Sequence, residues 1–126
     1  PLTELIQYPK LVLLGDFNIA PEERDVHDPK LWEGKVLFSS SEREAFMKLL
    51  KLGLVDSFRL FDHPDKSYTW WDYRMLGFRR NMGMRIDHIL LSNALSANCT
   101  DCVIDKEPRK NERPSDHTPV MVDFTK

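Results

Sequence analysis

Leu11-Val12-Leu13-Leu14-Gly15-Asp16-Phe17-Asn18 is an apolar run that stops at a glycine and opens onto polar side chains. Four apolar residues in succession predict a short buried strand. Gly15 ends it, and Asp16-Phe17-Asn18 begins a loop at its C-terminal end. Residues 19 to 40 carry Pro21, Pro29 and Gly34 and read as a long irregular connection. Loops of that length are usually functional or mobile. Next, Ser41-Glu42-Arg43-Glu44 has the spacing of a capping box, with the serine accepting from the third helical N–H and Glu44 reaching back. Phe46, Leu49 and Leu50 recur at helical spacing, and Gly53 suits the left-handed position after a helix end. The expected helix covers residues 42 to 52.

Five β-like segments follow: Leu54 to Phe61, Ser67 to Asp72, Met84 to Ser92, Cys99 to Lys106 and Pro119 to Phe124. Val, Ile, aromatics and alternation favour strands there, and His63-Pro64-Asp65 marks a turn. Residues 73 to 83 read as a loop or short helix. One helix among five or six strands implies a sheet with a helical layer on one face. There are no internal repeats and no low-complexity tract.

The chain has 126 residues, 41% hydrophobic and 30% charged, with a net charge of -2. That fits one globular unit with a modest core rather than a disordered chain. No apolar run approaches the roughly 18 residues that would span a bilayer. The N-terminus has no basic region followed by an apolar stretch, so no signal peptide is expected, and the predicted location is cytoplasmic. The chain does not open with Met, which fits a fragment or a processed product. Charge is unevenly spread. Residues 73 to 86 hold Arg74, Arg79, Arg80 and Arg85 without a carboxylate, while residues 16 to 28 hold Asp16, Glu22, Glu23, Asp25 and Asp28 against Arg24. A basic strip beside an acidic pocket suits joint binding of a metal and a polyanion, although solvated loops give the same pattern. Cys99 and Cys102 form a lone C-x-x-C. A structural zinc site needs about four ligands, and a redox pair belongs at a helix start. Two reduced thiols are expected.

Three short motifs carry chemistry. They are Leu14-Gly15-Asp16-Phe17-Asn18, Met84-Arg85-Ile86-Asp87-His88 and Pro114-Ser115-Asp116-His117-Thr118-Pro119. Each lies on or at the end of a predicted strand, and strand ends of one sheet can converge on one pocket. Their residues suit phosphodiester hydrolysis. A divalent ion would offset the anionic charge, held by the oxygens of Asp16 and Asp116. Asp16 would activate or orient the attacking water, and Asn18 would hold water or a phosphate oxygen. His117 would donate to the phosphate as charge develops. Adjacent side chains on extended chain point to opposite sides, so Asp116 is badly placed to orient His117. The expected arrangement is an Asp87–His117 pair, with Asp116 turned toward the metal. Taken singly, Gly15-Asp16 reads equally as a turn, Asp87 as an edge-strand charge and Asp116-His117 as a capped loop.

Together, in this order and with these flanks, the motifs resemble the endonuclease/exonuclease/phosphatase superfamily from Leu11 to Phe124. Within it they resemble the exonuclease III family of abasic-site DNA repair nucleases. Tyr68-Thr69-Trp70-Trp71-Asp72-Tyr73-Arg74 and Asn81-Met82-Gly83-Met84-Arg85-Ile86-Asp87 look like that DNA-repair branch. The resemblance implies Mg2+-dependent hydrolysis, with Mn2+ as an alternative ion, on double-stranded DNA at abasic sites and 3′ ends. It makes Asp16, Asn18, Asp87 and His117 catalytic, and puts Asp16, Asn18, Asp116 and His117 around the metal. It places Trp70, Met84 and Ile86 at the pocket for a flipped-out abasic sugar, where extrusion costs little stacking. Met84 stands where the family often has an aromatic. Of Trp70 and Trp71, alternation lets one face the pocket and the other the core. Arg74, Arg79 and Arg80 would contact DNA phosphates without reading sequence.

The family domain is about twice this length. The resemblance therefore implies one half of a four-layered α/β sandwich: a mixed, mainly antiparallel sheet with helices on one face, spanning residues 1–126. The half that precedes it in the family, which supplies a metal-binding glutamate, has no matching segment here. Residues 1 to 9 read as the tail of a helix before the Asp16 strand. One sheet face would then be left bare for the missing half, or for a two-fold homodimer. The chain alone is expected to be inactive. Competing readings are a lipid or inositol phosphate phosphoesterase of the same superfamily, and a non-catalytic module that binds DNA or a partner half.

Overall fold

The computed structural model describes residues 10–125. The expected helix tail at residues 1 to 9 lies outside them. Strand β1 (Val12–Asp16) pairs antiparallel with β5 (Asp87–Ser92), which pairs antiparallel on its other edge with β2 (Leu54–Asp56). Two further antiparallel ladders join β3 (Trp70–Trp71) to β4 (Gly83–Met84) and β6 (Cys99–Ile104) to β7 (Val120–Phe124). Helix α1 (Pro29–Trp32) and a 3-10 turn at Glu23–Asp25 interrupt the long connection expected to be irregular. Helix α2 is Ser40–Lys51, and α3 is the short Asn93–Ser96.

Helix α2 begins two residues before the capping frame read from sequence. Ser39, not Ser41, is the cap: its Oγ accepts from Glu42 N at 3.2 Å, and Glu42 Oε1 accepts from Ser39 N at 3.2 Å. Both frames fit the S-x-x-E pattern. The first wins because Glu42 also accepts from Leu37 N, and because Phe38, just before the cap, is fully buried under the Arg43 guanidinium. The helix ends as expected, with Gly53 at φ +101°. Its buried face is Phe46, flanked by Leu49 and Leu50. It packs on Leu54 and Leu90 with Leu11, Leu13, Phe17 and Ile19.

This packing corrects the reading of the Leu11–Leu14 run as a buried strand. Among the described residues, only one face of β1 is covered. Leu13 turns toward α2, while Val12 and Leu14 are 38% and 63% exposed. Alternation along a strand forces that split once a single layer covers the sheet.

Several expected strands are shorter, each for a local reason. Chain 54–61 leaves extended geometry after Asp56, whose carboxylate accepts from Phe58 N at 3.2 Å and caps a 3-10 turn at Ser57–Leu60. Chain 84–92 is broken at Arg85 and Ile86. There Arg85 N bonds Asp25 O at 2.9 Å, while Ile86 N and Asp87 N both donate to the Thr69 hydroxyl. Residues 74–76 form one 3-10 turn. Cys99 and Cys102 are unpaired, as expected.

Candidate active site

The β1–β5 register ends at Asp16 opposite Asp87, so the ladder itself sets two carboxylates side by side. The third side chain arrives from the loop before β7. That loop is sewn to β3 by main-chain bonds from Trp71 N to Asp116 O (3.0 Å) and from Thr118 N to Thr69 O (2.8 Å). His117 N also donates to Ser115 Oγ at 3.1 Å. His117 thereby lies with Nδ1 2.8 Å from Asp87 Oδ2 and Nε2 3.6 Å from Asp16 Oδ2. Asp16, Asp87 and His117 offer ligand atoms all within 4.8 Å of one another.

A carboxylate only accepts, so His117 Nδ1 donates to Asp87. Burial penalises the His117 cation, yet the Asp87 hydrogen bond and the charges of Asp87, Asp16 and Asp116 outweigh it and hold the imidazole above its usual value. Asp87 also shifts upward, for a different reason. Burial raises it more than the bonds from His117 and Thr69 lower it. Asp16 is the more exposed carboxylate, and its Oδ1 accepts from Asn18 N at 3.0 Å in a tight Asx turn. Asn18 sits there exposed at φ +54°, a conformation that asparagine tolerates better than most residues.

Asp116 lies at the edge of this trio and is engaged by Trp70. Its Oδ2 accepts from Trp70 Nε1 at 3.1 Å, and its Oδ1 stands 3.9 Å from His117 Nε2. It borders the trio without joining it. Trp70 is half-buried at the same edge, and its neighbour Trp71 is fully buried with Nε1 on Asn81 Oδ1, so the two rings divide as alternation predicts. Met84 and Ile86 are 0% and 2% exposed, in a core cluster with Ala20, Val26 and Phe38. They pack behind Trp70 rather than presenting surface to a ligand.

The charge reading needs two corrections. Arg85 is not part of a solvent-facing basic strip: it is buried between Asp25 and Asp56. Nor do the acidic residues after Asp16 form a pocket. Asp25 pairs with Arg85 and Arg59, Glu22 with Arg24, and Asp28 caps α1. Arg74, Arg79 and Arg80 remain exposed, Arg74 in an open pair with Asp72 at 2.6 Å. Such exposed pairs contribute little to stability and yield readily to another anion.

Two residues that shape the site carry no signal in sequence. The Thr69 hydroxyl collects the N–H groups of Ile86 and Asp87 and so fixes where β5 starts. Arg109 donates to Ser115 O at 2.7 Å while its guanidinium lies 4.9 to 5.7 Å from the Phe78, Tyr73 and Trp71 rings. It braces the loop that carries His117. In sequence it is one cation among several in a polar stretch.

The chain is similar to known proteins in sequence and in fold. Residues 3–117 match the model of the endonuclease/exonuclease/phosphatase family. Exodeoxyribonuclease III of Haemophilus influenzae is 40% identical over 121 residues, which is 90% of this chain and 45% of that protein. The 3′ phosphatase NExo from Neisseria, solved bound to a product DNA hairpin, superposes with a TM-score of 0.94 at 49% identity, over 98% of this chain and 48% of that one. An AP endonuclease from Archaeoglobus fulgidus gives a TM-score of 0.85 at 37% identity, over 98% and 51%. The chain thus spans about half the length of the relatives it matches. It belongs to the endonuclease/exonuclease/phosphatase family, among relatives of exodeoxyribonuclease III type.

Proposed function

We propose that this chain is the second half of a Mg2+-dependent DNA phosphodiesterase of exonuclease III type, acting at abasic sites and 3′ ends in repair. The observation that carries the reading is the meeting of Asp16, Asp87 and His117 within 4.8 Å from three distant segments. Relatives named as exodeoxyribonuclease III, as an AP endonuclease and as a 3′ phosphatase bound to product DNA support the substrate class.

Asp16 takes or orients the proton of the attacking water, being exposed and facing His117 Nε2. Asn18 steadies a phosphate oxygen. Asp87 keeps His117 oriented and charged, and His117 then donates through Nε2 to the phosphate oxygen where charge builds. A protonated imidazole repels a cation, so His117 serves the phosphate better than it serves a metal. The donors fit a hard divalent ion, which takes one or two carboxylates and keeps several waters. Asp16 would hold it, with Asn18 and Asp116 beside it and Mn2+ as an alternative to Mg2+. When bound, the ion offsets phosphate charge. Trp70 flanks the scissile sugar with Met84 and Ile86 as its backing, and Arg74, Arg79 and Arg80 contact the duplex backbone.

The exposed Val12 and Leu14 face of β1 is where the first half of the family domain would pack, and the chain without it is inactive. The unpaired thiols suit the reducing cytoplasm. The test is incision of a duplex with a single abasic site in the presence of Mg2+. The complete protein should cut it and the Asp16→Asn protein should be slower by about 10²- to 10⁴-fold. A complete protein that instead releases phosphate from inositol phosphates and leaves the duplex intact would overturn the proposal.

A further inference from the structure

Beneath the Asp16–Asn18 turn lies a buried polar chain that the proposed chemistry does not use. Arg85 is 1% exposed. Its Nε donates to Asp25 at 2.8 Å and its Nη2 to Asp56 at 2.7 Å. Its Nη1 lies 3.2 Å from both Asp56 Oδ1 and His88 Nδ1. A guanidinium only donates, so His88 Nδ1 must accept. The other ring nitrogen, Nε2, faces the carbonyl oxygen of Ile19 at 2.7 Å. A carbonyl only accepts, so Nε2 carries the proton. Arg85 thereby selects one tautomer of His88, the one that can hold Ile19. Burial, reinforced by the Arg85 charge, brings His88 down to about 4, so the ring is neutral near pH 7. The imidazole is wedged between the rings of Phe17, which it meets edge-on at 5.5 Å, and Phe46, tilted at 4.8 Å.

Ile19 directly follows Asn18. The entry to the turn is fixed by main chain, through the β1–β5 ladder and Phe17 N on Ile86 O at 3.1 Å. The Asp16 carboxylate is tied to the turn through Asn18 N. At the exit, Ala20 N donates to Leu37 O at 2.7 Å, and the Ile19 carbonyl, between that bond and Asn18, is held by a side chain, that of His88. A shift of the exit would therefore swing Asn18 and the Asp16 carboxylate together relative to His117.

We propose that His88 is a positioning residue: its Nε2–H pins the Ile19 carbonyl and so sets where Asp16 and Asn18 stand against His117. The proposal rests on the roles given to Asp16 and Asn18 above. The competing view is that His88 only fills space between two aromatic rings, in which case a ring of similar shape would serve as well.

Two variants of the complete protein separate these views. His88→Phe keeps a ring and removes the donor; His88→Gln keeps a donor that can reach Ile19. For abasic duplex, His88→Phe should lower kcat by about 10- to 100-fold with KM unchanged, as losses of such orienting bonds do. His88→Gln should recover most of it. Amide hydrogen exchange should quicken at residues 16–20 in His88→Phe and stay unchanged in helix α2. Full kcat in the Phe protein, or a Gln protein no better than it, overturns the proposal. So does a Phe protein that does not fold while the Gln protein does, because the bond would then be serving the whole fold. If the wild type itself does not incise, the proposed function falls. The exchange comparison then still decides whether His88 holds the turn: unchanged exchange at residues 16–20 overturns that role.

Discussion

Asp87 meets two opposing demands, since burial favours its neutral form while His117 needs it charged. The balance has a measurable consequence. Burial lowers His117, and the Asp87 hydrogen bond is the largest influence holding it up. Asp87→Asn in the complete protein should therefore move the alkaline limb of the kcat profile to lower pH, because the imidazole loses its proton earlier. An unmoved limb would mean that Asp87 does not set the His117 charge. His88 predicts an effect on stability. Its folded-state value, about 4, lies below that of a free imidazole, about 6.5. The unfolded chain thus takes up a proton that the folded chain refuses. The contribution is complete above about pH 6.5 and fades toward pH 4, a loss on the order of 3 kcal/mol. Urea midpoints measured from pH 7 to pH 4 should fall more steeply for wild type than for His88→Gln. Arg85 belongs to the same network. Burial opposes its charge, but Asp56 and Asp25 together prevail. Arg85→Leu would strand the Asp56 carboxylate, leave Asp25 to Arg59 alone, and should cost about 3–5 kcal/mol in urea unfolding. At this scale the trio was legible in sequence, because each member lies in a short motif on or beside a strand end. Arg85 was not: a count of charges does not distinguish a buried cation from a solvated one.

Among the elements, α2 shows how local chemistry and packing divide the work. Its apolar spacing and Gly53 end were readable from sequence. Its start was not, because Ser39, Ser40 and Ser41 precede Glu42 and Glu44 and offer overlapping frames. Burial of Phe38 and the Leu37 N–Glu42 bond selected the earlier one. Ser39→Ala should lower stability by about 1 kcal/mol, while Ser41→Ala should stay within about 0.5 kcal/mol. Equal effects in thermal unfolding would contradict the assignment. The split of chain 84–92 into β4 and β5 has a similar origin. Its Ile- and Leu-rich pattern reads as one strand. The buried Thr69 hydroxyl and Asp25 carbonyl capture its N–H groups midway.

For the molecule as a whole, the open face is the governing fact. Val12 and Leu14, on one face of β1, stand exposed. A layer of helix and loop covers the other side of β1. Apolar surface of that kind associates with whatever complements it. Sedimentation of the isolated chain should show concentration-dependent association, and Leu14→Lys should weaken it. A monomer at all concentrations would remove the case for this face as a contact surface.

The sequence by itself determined the family, the trio Asp16, Asp87 and His117, and the Asp87–His117 pairing. Those follow from residue order and from the alternation of side chains along extended chain. Tertiary structure alone decided which charges are buried, where strands stop, and that Asp116 engages Trp70. Each of these depends on contacts between segments tens of residues apart, and a hydrogen-bond donor has no preferred partner until folding brings one within reach.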